Sequence, residues 1–476
     1  MLFNSFDFGF FLVIVYVVYW AMGAKRRKAQ NILLLVSSYI FYGLWDWRFL
    51  SLLFLSSIID YFAGRAIEAS QKNNIRKLYL WGSIFWNVGV LIAFKYFNFF
   101  IESFSSLFSL DIPENGYTFW NVIIPIGLSF YTFQTISYTV DVYRKKIKPT
   151  RNFVEFFCFV SFFPQLVAGP IEKAGKLLPQ FKKERKFNLQ TSKEGLRQIL
   201  WGLFKKILVA DKLGIAVTMV FSNPDTYGSL TLAFAAVLFS FQMYCDFSGY
   251  TDIAIGTAKL FGFELSKNFD IPYLAKSITE FWKRWHITLT QWFTDYVYIP
   301  FVKTSKKITT LVRATGLLLT MFLVGMWHGA NWTYIAFGCF NGMLLGIERI
   351  PFFKRKGTLM KKLQNAPRII ALIYFFCLTS ISSILFRSQD IEQALYILKR
   401  IFSFTLDTHI SSLIGIKLFY LLILIIAELA TRNLDFPLQK LELKFPKLAR
   451  WALYYTLIFF IIRYAEPKEA FIYFQF

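Results

Sequence analysis

Met326-Trp327-His328-Gly329-Ala330-Asn331-Trp332 lies near the middle of an apolar run from Leu311 to Arg349, and that run decides the fold class. Between Arg313 and Glu348 there is no Asp, Glu, Lys or Arg, which leaves about 34 residues, enough for up to two bilayer crossings of roughly 20 each. One imidazole is therefore placed at membrane depth, flanked by two tryptophans and by Gly329. Burying it there costs solvation that a structural role seldom justifies, although a histidine that hydrogen-bonds a neighbouring helix is the plainer alternative. A second histidine tips the reading. In Phe281-Trp282-Lys283-Arg284-Trp285-His286, His286 falls one turn after Trp282, and the spacing of Trp282, Trp285 and Trp292 suits one face of a helix. The third histidine, His409, falls in a polar connection, so His328 is taken as the chemical centre.

Composition extends that reading to the whole chain. Of 476 residues 56% are hydrophobic and 20% aromatic, only 17% are charged, and the mean hydropathy is +0.45, which excludes an average soluble globule. The 53 Lys and Arg against 29 Asp and Glu give a net charge of +24. A nucleic-acid binder would share that sign, but here the bases cluster between apolar runs, as expected for cytoplasmic loops that attract anionic lipid headgroups; no nucleic-acid partner is expected. Cys158, Cys245, Cys339 and Cys377 stand singly in apolar stretches, without the spacing of a disulfide framework or a thiolate metal site.

In chain order, Phe8 to Ala24 is apolar and closes on Lys25-Arg26-Arg27-Lys28, the reverse of a signal-peptide layout, so it is expected to be a retained helix with its basic end in the cytoplasm. Asn31 to Trp45 and Phe49 to Phe62 follow on either side of an Asp46-Trp47-Arg48 corner, and Leu78 to Phe94 crosses again. Ser103 to Tyr117 has acidic residues and no Lys or Arg, which suits the outer face. Phe119 to Val140 spans once more, and Phe153 to Val167 runs into Pro164, Gly169 and Pro170, predicting a re-entrant or broken helix. The bases from Lys173 to Lys186 alternate with Leu177, Leu178 and Phe181, an amphipathic pattern for the inner leaflet; a phosphate-binding role is the alternative.

Leu196 to Val220 reads as a mixed helix carrying Lys205 and Lys206, and Leu230 to Cys245 as an apolar helix ending at Asp246-Phe247-Ser248-Gly249-Tyr250-Thr251-Asp252. Two carboxylates among hydroxyls, without further ligands at fixed intervals, suit a hydrogen-bonded network better than a metal site, and no metal is expected. Past the central stretch, Pro351 to Arg368 is basic, Ile369 to Phe386 crosses, Thr405 to Ser412 has no Lys or Arg, Leu413 to Ala430 returns, Lys440 to Arg450 is basic and Trp451 to Ile462 crosses again. The expectation is an all-α polytopic membrane protein with about eleven transmembrane helices plus re-entrant or interfacial ones, in a single membrane domain over residues 1–476.

With these pieces together, the chain resembles the membrane-bound O-acyltransferases, and within them the bacterial branch of the alginate O-acetylation membrane subunit and the teichoic acid D-alanine transfer protein. The resemblance rests on Pro164-Gln165-Leu166-Val167-Ala168-Gly169-Pro170-Ile171, Cys245 to Ala254, Asn268-Phe269 with Pro272-Tyr273, Phe281 to His286, Met326-Trp327-His328-Gly329 and Phe471-Ile472-Tyr473-Phe474-Gln475-Phe476, in family order over nearly the whole chain. It implies that His328 is the essential histidine and His286 the second one, in a tunnel through a ring of helices where a cytoplasmic acyl donor meets an acceptor from the outer face. Trp327, Asn331, Trp285 and Arg284 are placed as substrate-binding residues; the catalytic asparagine of eukaryotic members is not carried onto Asn331.

The implied chemistry suits imidazole. Moving an acyl group from a thioester to a hydroxyl needs a base, and a group with pKa near 6.5 serves at neutral pH, for about 10²–10⁴ in rate. His328 is assigned as general base or transient acyl carrier, while His286 would orient it, polarise the thioester carbonyl or protonate the leaving group. Arg284 and Lys283 are candidates to attract donor phosphates, with snorkelling to the interface as the ordinary alternative. The resemblance further implies acetyl-CoA as donor with no bound cofactor, an envelope or secreted polysaccharide as final acceptor, an extracytoplasmic transferase of serine hydrolase-like (SGNH) type or a polysaccharide assembly protein as partner, and a multi-pass place in the bacterial cytoplasmic membrane. D-alanyl transfer from a carrier protein is the related alternative. From other classes, a transporter would explain the broken helices, though no repeated halves are visible, and a noncatalytic scaffold would tolerate glutamine at both histidines.

Overall fold

The computed structural model describes residues 3–109, 124–350, 367–405, 415–465 and 471–472. Much of the connections Ser103 to Tyr117 and Pro351 to Arg368, almost all of Thr405 to Ser412, His409, and Tyr473 to Phe476 lie outside them. Among the described residues the regular structure is helical, and five helical stretches are long and apolar enough to cross a membrane: Arg27–Ala69, Asn73–Phe108, Ser229–Leu260, Thr310–His328 and Ile370–Arg387. Phe6–Ala21, Phe153–Leu166 and Trp332–Ile347 are apolar but shorter. The described residues form two units, one from residues 1–196 and 254–266, the other from 197–253 and 267–476.

In the first unit one group of buried polar side chains is paired across three apolar helices, as a low-dielectric surrounding favours. Asp60, on the helix Leu50–Ala69, accepts from Ser83 Oγ and from Asn87 Nδ2 (2.8 Å) on Asn73–Leu91, and Thr135 Oγ1 of Leu128–Tyr143 donates to Asn87 Oδ1 at 3.0 Å. The Asp46 corner appears as a single 3₁₀ turn, Trp47–Phe49, with Asp46 Oδ1 accepting the Arg48 N–H. The break expected near Pro164 falls at Phe162, between Phe153–Ser161 and Phe163–Leu166, and the freed Phe163 N–H donates to Ser38 Oγ at 3.0 Å. In the lysine-rich stretch, Ala174–Lys182 buries Leu177, Leu178 and Phe181. One base there is structural: buried Arg185 donates to Gln30 Oε1 and Asn31 Oδ1 and lies over the Phe263 ring.

In the second unit the stretch Gln242 to Asp252 is not the end of a helix, as its polarity suggested, but the interior of Ser229–Leu260, whose residues to Ile253 belong here. Partners from elsewhere in the chain make this possible. The preceding helical segment widens into a π-helix, Phe204–Ala210, on which Lys205 Nζ meets Asp252 Oδ2 (2.6 Å) and Ser248 Oγ (2.9 Å), while Lys206 Nζ meets Asp211 and Asp246, each at 2.7 Å. Asp246 Oδ2 also accepts the backbone N–H of Ile472 at 2.7 Å, and the neighbouring Phe471 ring packs on Tyr250 and Phe247. Each of these three carboxylates thus meets one of two ammonium groups, Lys205 or Lys206, as charges withdrawn from water require.

The charge-free run folds as two apolar helices, Thr310–His328 and Trp332–Ile347, turned by Gly329-Ala330-Asn331. At 1.5 Å per residue the first is about 28 Å long, close to the hydrocarbon thickness of a bilayer. Their backbones touch at Gly325 and Gly338: a Cβ at Gly325 would strike the Tyr334 carbonyl, and one at Gly338 the Met321 carbonyl. Small residues at such a contact let apolar helices pack by dispersion alone.

Candidate active site

His328 is the last residue of its helix, and the chain leaves it through extended Gly329, where a Cβ would enter the Tyr334 ring. The imidazole is buried, edge-on to Trp327 (ring centroids 4.9 Å apart), Phe386 (5.0 Å) and Phe337 (5.6 Å). It borders a cavity of about 20 Å³, room for one water, lined also by Trp282, Trp285, Asn341, Ser382 and Ser383. Asn331 turns the chain into the next helix: its Oδ1 accepts the Thr333 N–H at 2.9 Å and its Nδ2 donates to the Gln389 carbonyl at 2.8 Å. Both ends of that amide are used by the fold.

His286 does not sit one turn along a helix from Trp282, contrary to the spacing argument. Ile278–Arg284 stops, Trp285 is extended, and His286 takes a left-handed conformation (φ 39°, ψ 56°) before Ile287–Phe293 begins. The physical reason lies in Asn268. Its carbonyl accepts the Ile287 N–H (2.9 Å), and its side-chain Oδ1 accepts the Thr288 N–H (3.2 Å) and Thr288 Oγ1 (2.9 Å), so the first donors of the new helix are satisfied from outside it. The Asp270 N–H closes the other side of the break on the Arg284 carbonyl at 2.9 Å. Trp282 and Trp285 consequently do not share a helical face with Trp292.

The His286 ring is wholly buried, 3.1 Å from Asn268 Oδ1 through Nδ1 and edge-on to Phe247 (4.6 Å) and Trp327 (5.7 Å). It lies outside the candidate spans, and burial pushes its imidazole well below the usual histidine range. Trp327 therefore touches both imidazoles. Trp285 is buried against Phe269 and Phe281 and reaches the His328 cavity. Arg284 is elsewhere engaged, paired with Glu280 (3.1 Å) and Asp270 (3.2 Å).

Two residues that the sequence reading does not single out, Asn341 and Glu348, tie these parts together. On Trp332–Ile347 and its end, Asn341 Oδ1 accepts from Trp282 Nε1 (3.3 Å) while its Nδ2 donates to Ser382 (2.7 Å), and Glu348 accepts the N–H groups of Ile278 (3.1 Å) and Thr279 (3.0 Å), capping the helix that leads to His286. Asn341 was visible as a lone amide in an apolar run, and Glu348 as the first charge after it. Among the described residues no three His, Cys, Asp or Glu side chains are grouped to hold a metal.

Two buried imidazoles thus share one indole. The family comparison matches residues 39–387, both histidine motifs included, to the membrane-bound O-acyltransferase family. The chain belongs to this family. It is thus an O-acyltransferase with several apolar helices, a multi-pass membrane enzyme. A probable alginate O-acetylase of Azotobacter vinelandii is 36% identical over 85% of this chain and 78% of its own. The probable alginate O-acetylase of Pseudomonas aeruginosa is 34% identical over 94% and 85%, and the peptidoglycan O-acetyltransferase of Helicobacter pylori 32% over 84% and 79%.

Proposed function

We propose that this acyltransferase takes acetyl from cytoplasmic acetyl-CoA and supplies it for O-acetylation of an envelope or secreted polysaccharide, alginate-like or peptidoglycan, through an extracytoplasmic partner transferase. The reading treats residues 1–476 as one membrane-embedded acyltransferase domain of about eleven crossings in the bacterial cytoplasmic membrane, with the histidines in a tunnel. The observation that carries it is the shared contact of His286 and His328 with Trp327, inside the stretch matched to the family. Relatives named as alginate and peptidoglycan O-acetylases support acetyl as the group moved and a glycan as its destination.

In this reading His328 takes the proton of the incoming hydroxyl as its oxygen attacks the thioester carbonyl. The C–S bond breaks, the ester forms, and the proton passes on to the departing thiolate. An acyl group carried for a time on His328 is the covalent variant. His286 assists by orienting, polarising or moving the proton, and Trp327 and Trp285 wall off water so that those charges act in a low dielectric. The test is transfer of labelled acetyl from acetyl-CoA to membranes holding the wild type or His328→Ala, with envelope glycans counted separately. Label in the wild type alone supports the reading. Label in both overturns the role of His328, and label in neither overturns acetyl-CoA as donor and points to a carrier protein or to transport.

A further inference from the structure

In the sequence Asn268 stands in a polar connection that carries part of the family resemblance, and nothing there gives it a task. Its surroundings do. Asn268 Oδ1 lies 3.1 Å from His286 Nδ1, 3.2 Å from the backbone N of Thr288 and 2.9 Å from Thr288 Oγ1. A backbone N–H can only donate, so the Asn268 atom facing it must be the oxygen; the reverse orientation would set the amide NH₂ against the Thr288 N–H. The orientation of this amide is fixed by the Thr288 backbone, without appeal to the histidine. It leaves Asn268 Nδ2 buried and without a hydrogen-bond partner among the described residues, a cost that the three bonds to Oδ1 offset.

An oxygen so placed settles the proton on the facing imidazole. A carbonyl-type oxygen accepts, so the nitrogen 3.1 Å away must donate, and the proton of the neutral His286 ring is on Nδ1. The opposite nitrogen then carries the lone pair. The backbone holds the ring in this pose from both sides: His286 is in the left-handed region, and the helices before and after it are pinned by Asn268 O, Asp270 N and Glu348. The described rings around it, Phe247, Phe269 and Trp327, are uncharged.

We propose that Asn268 is a positioning residue for the second imidazole: its side-chain oxygen takes the Nδ1 proton of His286, so that Nε2 is the nitrogen with the lone pair and His286 meets the reaction as an acceptor of a proton. This rests on the acyl-transfer reading above and narrows it, because a neutral ring with its proton on Nδ1 has no hydrogen at Nε2 with which to polarise a carbonyl. Asn268 fixes a tautomer and touches no reacting atom.

The test is nitrogen NMR of the full chain labelled with ¹⁵N-histidine in nanodiscs near pH 7. Only three histidines are present, and His286→Gln identifies the signals of interest by their loss. The wild type is expected to show a protonated Nδ1 and an unprotonated Nε2 at His286, a reading that requires no variant to fold. Asn268→Asp, which keeps an acceptor in place, should retain Nδ1–H and a good part of the transfer. Asn268→Leu should give a mixed tautomer and lower labelled-acetyl transfer about tenfold, no more than removal of the His286 ring itself does. A wild-type proton on Nε2, or an unchanged tautomer in Asn268→Leu, overturns the proposal. Absence of acetyl transfer with the expected tautomer present would count against the acyl-donor reading and leave the assignment of Asn268 standing.

Discussion

The indole of Trp327 meets the imidazole of His286 edge to face, ring centroids 5.7 Å apart, although the two residues come from separate motifs. The same indole adjoins His328 at 4.9 Å. Trimming it should therefore disturb both rings together. Trp327→Leu is expected to lower acetyl transfer by at least about tenfold and to destabilise the protein by roughly 3 kcal/mol, in the range for truncating a buried aromatic. Trp327→Phe should retain most stability. Transfer assays and thermal unfolding in detergent check both.

Substituting the histidines separately distinguishes principal from assisting roles. His328→Ala should lower transfer by about 10²–10⁴, the range for a lost general base, and His286→Ala by less. Both proteins should still fold and insert, which their yield in the membrane fraction checks. Full transfer by His328→Ala would refute the mechanism given above; full transfer by His286→Ala would remove only the assisting role.

A pH dependence of stability follows from the buried His286 ring. Burial lowers its folded pKa, while the unfolded ring titrates near 6.5. Below that value the unfolded chain binds the extra proton and the folded one does not. Stability should accordingly be fully present above about pH 6.5 and fall as the medium is acidified toward the folded pKa, by up to about 1.4 kcal/mol per pH unit. Melting curves from pH 7.5 downward should show the decline in wild type and a shallower one in His286→Gln.

At the helix contact, Gly338→Ala forces a methyl group into the Met321 carbonyl. The expected loss is about 1–3 kcal/mol, as for other overpacked sites. Because the two helices carry His328 and Asn341, transfer should fall along with the melting temperature. Gly9→Ala, on an open surface, should do neither.

The hairpin of Thr310–His328 and Trp332–Ile347 was legible in the residues, because a run without charges has few ways to satisfy its backbone except by helices. The break at His286 was not legible. Local spacing favours one continuous helix there, and the bonds that interrupt it come from Asn268, 18 positions earlier. The unbroken course of Ser229–Leu260 through two carboxylates was hidden for the same reason, since Lys205 and Lys206 lie far back in the chain. The two histidines stand out in the sequence because imidazole is rare there; the bonds of Asn268, Asn341 and Glu348 do not, because amides and single carboxylates are common and mean little until their partners are known.

The bond from Ile472 to Asp246 spans 226 positions of sequence. A membrane chain is threaded into the bilayer as it is made, so the helix bearing Asp246 is inserted long before Ile472 leaves the ribosome. During that interval the Lys206–Asp246 pair stands without its final donor, and Phe247, which backs His286, without the ring of Phe471. Biogenesis therefore has a late step in which the His286 surroundings are completed, and an insertion intermediate halted before residue 471 should be held by the membrane yet enzymatically immature.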